Sequence, residues 1–213
     1  MKKNLTELVF ILDRSGSMSG MESDTIGGFN SFIEKQKEVE GECLVSTVLF
    51  NQISKVVYDR KSLDKVRKMT REDYVPSGST ALIDAMGDAI HHIRNVHKYI
   101  RQEDVPEHTV FVIITDGEEN SSHKYSAKEV RRMVNKQKEK GWEFIFLGAN
   151  IDAVETAKNY GIDRKRSATY YYDHAGTQKN YEVLDKAVRN LRVNKAMADD
   201  CLEEINVYYQ SKQ

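Results

Sequence analysis

The chain has 213 residues and a formal net charge of −1, with 39% hydrophobic and 31% charged residues. This length suits one domain with a substantial core, and the composition excludes an intrinsically disordered chain. A net charge close to zero argues against nucleic acid and anionic membranes as partners, because binding the phosphate backbone requires a concentrated basic surface.

The first apolar run, residues 8–12, is too short to span a bilayer and leads directly into charged residues. It has neither the length nor the small-residue cleavage site of a signal peptide. We therefore expect a cytoplasmic protein with no membrane contact. Cys43 lies in an apolar run and Cys201 lies far away near the C-terminus, which predicts two buried thiols rather than a disulfide.

The N-terminal half predicts strands that alternate with amphipathic helices. Residues 5–12 form an apolar run typical of a strand, and residues 22–39 carry apolar side chains at helical intervals. Two β-rich runs, 43–50 and 53–59, are separated by two polar residues. This is a hairpin signal that predicts an antiparallel edge strand. An apolar stripe that starts near Ala81 predicts a second long helix.

The C-terminal half continues the alternation. Residues 109–115 form a nearly continuous apolar run, as expected of a parallel strand covered on both faces. Ser126 and Glu129 form a capping-box pattern that opens a helix predicted to stop at Gly141. The remaining predicted elements are a strand at 142–148, a helix at 152–160, a strand at 167–172 and a helical region from about 176 onward.

This order predicts the α/β fold class. We expect a doubly wound, Rossmann-like open sheet, mostly parallel with one antiparallel edge strand, and helices on both faces. No repeat, low-complexity tract or linker divides the chain. We predict one domain over residues 1–192 and a C-terminal helical extension over residues 193–213.

Two predicted strands end in the same way, one running into Asp13 and the other into Asp116. Ligands of open α/β sheets bind outside the carboxyl ends of the strands, so parallel strands would bring both carboxylates to one edge. Two negative charges at a partly buried edge are costly unless a positive charge lies between them. A divalent cation is the natural candidate.

Hydroxyl side chains surround these carboxylates in sequence. Ser15 and Ser17 follow Asp13 at alternating positions, and Thr80 stands directly before a predicted helix. The set contains oxygen donors and neither His nor Cys, which suits Mg²⁺ or Mn²⁺, and Ca²⁺ accepts the same donors. One such loop alone is equally well explained as a helix cap.

Asp13-x-Ser15-x-Ser17, Thr80 in a Gly-Ser-Thr loop and Asp116 in ITDGEEN resemble the metal-ion-dependent adhesion site of von Willebrand factor A domains, the module also found as the integrin I domain. The resemblance covers roughly residues 5–172, with all five signature positions in order. It implies direct metal contacts from Ser15 and Ser17, direct or water-mediated contact from Thr80, and mostly water-mediated contact from Asp13 and Asp116.

The resemblance also implies a function, which is capture of an acidic residue of a protein partner by the bound cation. Neutral hydroxyls leave the cation short of negative charge, and a carboxylate from outside would supply it. The flanking residues are predicted to form the rim that touches this partner: Met18, Ser19, Gly78, Ser79, Gly117 and Glu118. Glu118 and Glu119 are more simply explained by a solvated loop or by stabilisation of a nearby helix start.

Two alternatives stay open at this point. A metal-dependent phosphatase or hydrolase would use a metal-bound water, but no convincing general base accompanies the carboxylates. The position two residues after Asp13, where a haloacid-dehalogenase-type phosphatase has a second Asp, is Ser15. The other alternative is a vestigial site in a protein that assembles through its C-terminal helices. We predict a binding module and not an enzyme.

Overall fold

A computed structural model describes all 213 residues and shows one six-stranded sheet surrounded by helices. The strands are β1 (Lys2–Asp13), β2 (Glu42–Phe50), β3 (Ser54–Ser62), β4 (Pro106–Thr115), β5 (Glu143–Gly148) and β6 (Ser167–Thr169). The helices are α1 (Glu22–Lys37), α2 (Leu82–Tyr99), α3 (Ala127–Lys138), α4 (Ala153–Asn159), α5 (His174–Asn194) and α6 (Glu203–Gln210).

The strand order is β3-β2-β1-β4-β5-β6, and every neighbouring pair is parallel except β2 with β3. The central strands β1 and β4 pair from Thr6 with His108 to Leu12 with Ile114. Their carboxyl ends therefore lie side by side. The predicted α/β fold class, including the antiparallel edge strand, is confirmed.

The sheet is buried on both faces because side chains alternate along its strands. On one face Leu8, Phe10 and Leu12 of β1 belong to an apolar cluster shared with α1, α5 and α6. On the other face Val9 and Ile11 pack in a second cluster with α2, α3 and α4. Two complete cores thus hold the ends of β1 and β4 rigidly in place.

The sixth strand is shorter than predicted. It ends at Thr169, the N–H of Tyr170 makes a last hydrogen bond to the carbonyl of Gly148 at 3.0 Å, and Tyr171 and Tyr172 lie outside the sheet. The hydroxyl of Tyr172 donates a hydrogen bond to the carbonyl of Ser17 at 3.0 Å, and Asp173 caps α5 through the N–H of Gly176 at 2.6 Å. The aromatic residues therefore bridge the sheet edge to the loop after β1.

The predicted capping box of α3 is present, with Ser126 and Glu129 bonded reciprocally. The helix itself ends at Lys138, before Gly141, which has φ +83° and turns the chain into β5. Glycine is favoured at this position because the backbone adopts a positive φ, which other residues rarely do. The expected helix end is thus displaced by three residues.

The C-terminal segment packs on the main core. Met197, Leu202 and Ile205 are buried in the cluster that contains α5. The guanidinium of Arg166, itself buried, donates to the carbonyls of Met197 and Ala198 at 2.9 and 2.7 Å. Helix α5 runs through the boundary placed at residue 193, and the division into a domain and an extension stays a prediction.

Both cysteines are free thiols, Cys43 buried and Cys201 half-buried. None of the helices combines the length and the apolar character needed to cross a membrane.

Arg192 ties α5 to the end of α1. Its guanidinium is buried and donates to the carbonyls of Gln36, Val39 and Gly41 and to the side-chain oxygen of Gln36, at 2.6 to 3.0 Å. Replacing it leaves these buried acceptors without a donor, which is costly.

We expect Arg192→Met to lower the free energy of unfolding by about 2–4 kcal/mol, because several buried carbonyls lose their donor. Arg189→Met is the matched control: Arg189 lies on the same helix, is 39% exposed and makes one backbone contact at 3.1 Å. It should cost less than about 1 kcal/mol. Urea unfolding of both variants measures the difference, and equal losses would contradict this account of Arg192.

Candidate metal centre

The two carboxylates predicted to converge do lie at one edge of the sheet. Asp13 is the last residue of β1, and Asp116 directly follows β4 on the neighbouring strand. Their relative exposures are 1% and 2%, so both are nearly removed from water. The parallel register of β1 and β4 is sufficient to explain their proximity.

The carboxylate of Asp13 is fixed on both oxygens. Its Oδ1 accepts the N–H of Ser15 at 2.7 Å, and its Oδ2 accepts the hydroxyl of Thr115 at 2.6 Å. The backbone carbonyl of Asp13 also accepts the hydroxyl of buried Tyr74. The sequence pattern does not predict these roles of Thr115 and Tyr74. A Thr at the end of an apolar strand is only a weak indication of a site residue. Tyr74 lies in a loop 61 residues after Asp13, so its contact cannot be read from local sequence.

A chain of short contacts joins the hydroxyls to the second carboxylate. Ser15 Oγ and Ser17 Oγ are 3.0 Å apart, and Ser17 Oγ donates to Asp116 Oδ1 at 2.7 Å. The other oxygen of Asp116, Oδ2, is buried and has no hydrogen-bond partner. A buried carboxylate oxygen without a donor is a costly arrangement that calls for a positive group.

Thr80 reaches the same cluster from the loop before α2. A Cβ atom built on Gly117 would lie 3.5 Å from Ser17 Oγ and 3.9 Å from Thr80 Oγ1, so these hydroxyls flank the same small space. Glycine at residue 117 leaves that space open. The backbone of Thr80 is held by Asn120, whose Oδ1 accepts its N–H at 2.9 Å and whose own N–H donates to its carbonyl at 3.0 Å.

The loop that carries Thr80 is held against the loop after β1. The N–H of Gly16 donates to the carbonyl of Gly78 at 2.9 Å, and Asn51 donates from its amide to the carbonyl of Ser77 at 2.9 Å. Gly78 has φ +74°, and a Cβ atom built on it would lie 1.7 Å from Oε1 of Gln52. The positive φ makes any other residue strained at position 78, and a side chain there would also displace the exposed end of Gln52.

Glu119 caps α2 from a distant loop. Its carboxylate accepts the N–H of Ile83, at the start of α2, at 2.8 Å, and the N–H groups of Ser121 and Ser122 at 2.8 and 2.7 Å. This confirms the expectation that the acidic pair stabilises a helix start, with Glu119 making these contacts. Thr80 lies two residues before that helix, with Ala81 between them, so Glu119 also helps to fix the position of Thr80.

Burial raises the pKa of Asp13 to about 6, even though the hydrogen bonds from Thr115 and Ser15 act in the opposite direction. Burial also raises the pKa of Asp116, and the nearby hydroxyls of Ser17 and Tyr172 act in the opposite direction. In both cases desolvation outweighs the donors present. The negative charges at this edge are therefore only partly compensated by protein groups.

Most of the predicted rim is accessible. Ser19, Gly78 and Glu118 are exposed, and Ser79 and Gly117 are half-buried. Met18 requires a correction, because its side chain is 2% exposed and packs in the core cluster beneath α1. The short 3-10 turn at Gly16–Met18 directs this side chain inward, so residue 18 does not contribute its side chain to a partner surface.

The donor set at this edge fits a hard divalent cation. No three His, Cys, Asp or Glu side chains converge anywhere in the structure, so a cation here would depend on hydroxyl oxygens. The hydroxyls of Ser15, Ser17 and Thr80 and the carboxylates of Asp13 and Asp116 are all oxygen donors, as Mg²⁺, Mn²⁺ and Ca²⁺ prefer. The buried Oδ2 of Asp116, without a donor, is the atom that most needs such a cation.

A family model described as von Willebrand factor type A domain matches residues 7–190. This covers β1 to α5 and includes every residue of the candidate centre. A comparison with curated protein sequences found no significant match.

Solved structures of similar fold come from diverse organisms. One is proximal thread matrix protein 1 from the mussel byssus, solved with a zinc-occupied metal-ion-dependent adhesion site (MIDAS) motif. It matches with a TM-score of 0.59 and 13% identity, over 89% of this chain and 47% of that one. The present chain thus spans about half the length of the mussel protein. Manganese-loaded Plasmodium vivax TRAP protein has a TM-score of 0.59 and 18% identity over 84% and 72% of the two chains.

The von Willebrand factor domain of the type V pili tip protein Mfa5 from Porphyromonas gingivalis matches with a TM-score of 0.62 and 10% identity. The match covers 91% of this chain and 98% of that one. At these identities the likeness establishes the fold. Zinc and manganese are named for the mussel and Plasmodium structures.

The raised pKa of Asp13 predicts that the ionised carboxylate destabilises the protein when metal is removed. A folded-state pKa of about 6, above the ordinary 3.8, means that the folded protein holds the proton more tightly. Stability therefore falls as pH rises from about 4 to about 6. In EDTA at pH 7.5 we expect Asp13→Asn to be more stable than wild type by about 1–3 kcal/mol.

Differential scanning calorimetry at pH 4 and pH 7.5 checks this prediction, because the difference should vanish at the lower pH. Asp200→Asn is the control, since Asp200 is exposed and its charge is solvated. Equal melting temperatures of wild type and Asp13→Asn at pH 7.5 would contradict it.

We expect Glu119→Gln to lower the free energy of unfolding by about 1–2 kcal/mol, because an amide retains one acceptor oxygen where the carboxylate serves several donors. Its neighbour Glu118 is exposed, and Glu118→Gln should change stability by less than about 0.5 kcal/mol. Urea unfolding distinguishes the two. A Glu119→Gln protein as stable as Glu118→Gln would show that Glu119 does not hold the start of α2.

Proposed function

The chain belongs to the von Willebrand factor type A family, and from this premise we propose that it is a divalent-metal-dependent protein-binding module. In this proposal Ser15, Ser17 and Thr80 hold Mg²⁺ or Mn²⁺ together with Asp13 and Asp116. The observation that carries the proposal is the buried, unpartnered Oδ2 of Asp116 beside the contact between Ser17 Oγ and Asp116 Oδ1.

The positions of the donors support a division of labour among the five residues. Both oxygens of Asp13 already accept protein hydrogen bonds. In this proposal Asp13 therefore orients the loop and supplies negative charge near the cation without contacting it directly. The hydroxyls of Ser17 and Thr80 flank the open space beside Gly117. These are the groups available for direct contact with a cation.

When bound, a divalent cation at this edge supplies a positive charge that attracts a carboxylate from outside. Three of the five proposed donors are neutral hydroxyls, and the carboxylate of Asp13 is engaged by protein donors. The cation would therefore keep an excess of positive charge for an acidic residue of a partner. The exposed rim at Ser19, Gly78 and Glu118 surrounds this position and would contact the residues next to it.

Metal binding is tested by thermal melts in EDTA and in millimolar Mg²⁺, Mn²⁺ or Ca²⁺. A ligand that binds the folded state alone adds about 2.7 kcal/mol of stability at a concentration 100 times its Kd. We expect wild type and Ser19→Ala to melt higher with metal, and Ser17→Ala to lose most of the shift. Ser19 lies in the same loop and is exposed, so it controls for a general effect of the substitution. Equal shifts in the two variants would overturn the proposed centre.

Partner capture is tested with a displayed peptide library screened in Mn²⁺ and eluted with EDTA. We expect the recovered peptides to share an Asp or Glu, and its replacement by Asn or Gln to abolish binding. Wild-type binding that survives EDTA, or peptides that bind Asp13→Ala equally well, would show that capture does not depend on a metal.

A further inference from the structure

A cleft of about 640 Å³ lies at the opposite edge of the sheet from the candidate metal centre. Its walls are the C-terminal ends of α2 and α3, and its floor is formed where β4 and β5 begin, at Pro106 and near Trp142. β4 has ten residues, which places the two edges roughly 30 Å apart at about 3.3 Å per residue. The cleft is therefore separate from the metal centre.

Two pairs of cations face this cleft. Arg94 and Lys98 stand four residues apart on α2, and Lys136 and Lys140 stand four apart at the end of α3. Arg94 and Lys98 share one face of α2, and like charges at this spacing destabilise a helix, whereas Lys140 lies in the turn that follows α3. The pair on α2 therefore costs stability in the free protein, and an anion bound between the two walls would offset the repulsion among the four cations.

Nearby carboxylates do not neutralise these four cations. Glu107, which also lines the cleft, is paired with Lys195 at 3.2 Å. Glu7 is fully buried behind the wall and is paired with Arg60 at 2.6 Å and with His97. The acidic groups around the cleft thus have partners elsewhere, and the cleft retains a positive potential.

A buried polar group without a partner also lies at the cleft. Gln137 is 1% exposed and lines the cavity, and its Oε1 makes no hydrogen bond within the protein. Buried amide oxygens normally have a donor. Rotation of this amide would offer either its oxygen or its NH₂ group to a ligand. The unpartnered amide is independent of the surface charges and points to an occupant of the cleft.

We propose that this cleft binds a small phosphate-bearing polyanion. Its volume is in the range of small-ligand sites, and guanidinium and ammonium groups from two walls suit an anion with several oxygens and more than one charge. A single carboxylate would pair with one wall. A nucleic acid strand is disfavoured because the chain as a whole is not basic and the cations are confined to one cleft.

The same cations would also stabilise the C-terminal ends of α2 and α3 through the helix dipole. The two roles differ in a measurable way. Cations that serve the helix ends alone change the melting temperature but give no saturable anion binding.

The test is isothermal titration of inorganic tripolyphosphate into the full chain, in EDTA and at constant ionic strength. EDTA removes any metal that would bind phosphate at the other edge. We expect saturable binding that the double variant Lys136→Gln, Lys140→Gln weakens by about tenfold or more, since two charge-assisted contacts are lost. The matched control, Lys128→Gln with Arg132→Gln, removes the same charge from α3 outside the cleft and should change Kd by less than about twofold.

Asp13→Ala should bind tripolyphosphate as wild type does, which separates this proposal from the metal-dependent function. No saturable binding by wild type would overturn the proposal, and so would equal weakening in the double variant and its control. Binding lost in Asp13→Ala but kept in the double variant would place the anion at the metal edge and would also overturn it.

Discussion

The parallel pairing of β1 with β4 is the constraint on which the candidate centre depends. It places two carboxylates, Asp13 and Asp116, side by side at an edge where each is almost fully buried. Protein donors reach three of the four oxygens and leave one unpartnered. Because burial raises the pKa of both groups, this edge is strained electrostatically unless a cation is present.

Hydrogen bonds from uncharged donors, rather than ion pairs, hold the three loops around this edge. Ser17 contacts Asp116 through its hydroxyl, the loop of Gly16 is bonded to the loop of Gly78, and Glu119 secures the start of α2 from the third loop. Backbone groups supply most of these contacts, so the loops are fixed in position without neutralising the carboxylates. Such an arrangement keeps the site rigid and negative, which is the requirement for a selective cation site.

The two edges of the sheet have opposite electrostatic character. One gathers carboxylates and hydroxyls, and the other gathers Arg94, Lys98, Lys136 and Lys140 around a cleft. The formal net charge of −1, which sums 32 Lys and Arg against 33 Asp and Glu residues, conceals this local separation. A protein that binds a cation at one edge and an anion at the other would respond to both without direct competition, since roughly 30 Å of packed sheet lies between them.

The sequence by itself determined the fold class, the strand that ends at Asp13 and the donors on it, because alternation of apolar runs and the chemistry of strand ends are local properties. Tertiary structure decided which distant groups complete the site. Thr115 and Tyr74 act through contacts that no spacing reveals, and the side chain of Met18 is buried in the core instead of lying on the rim. Local patterns fix what a segment forms, whereas packing fixes which segments meet and which side chains remain in contact with water.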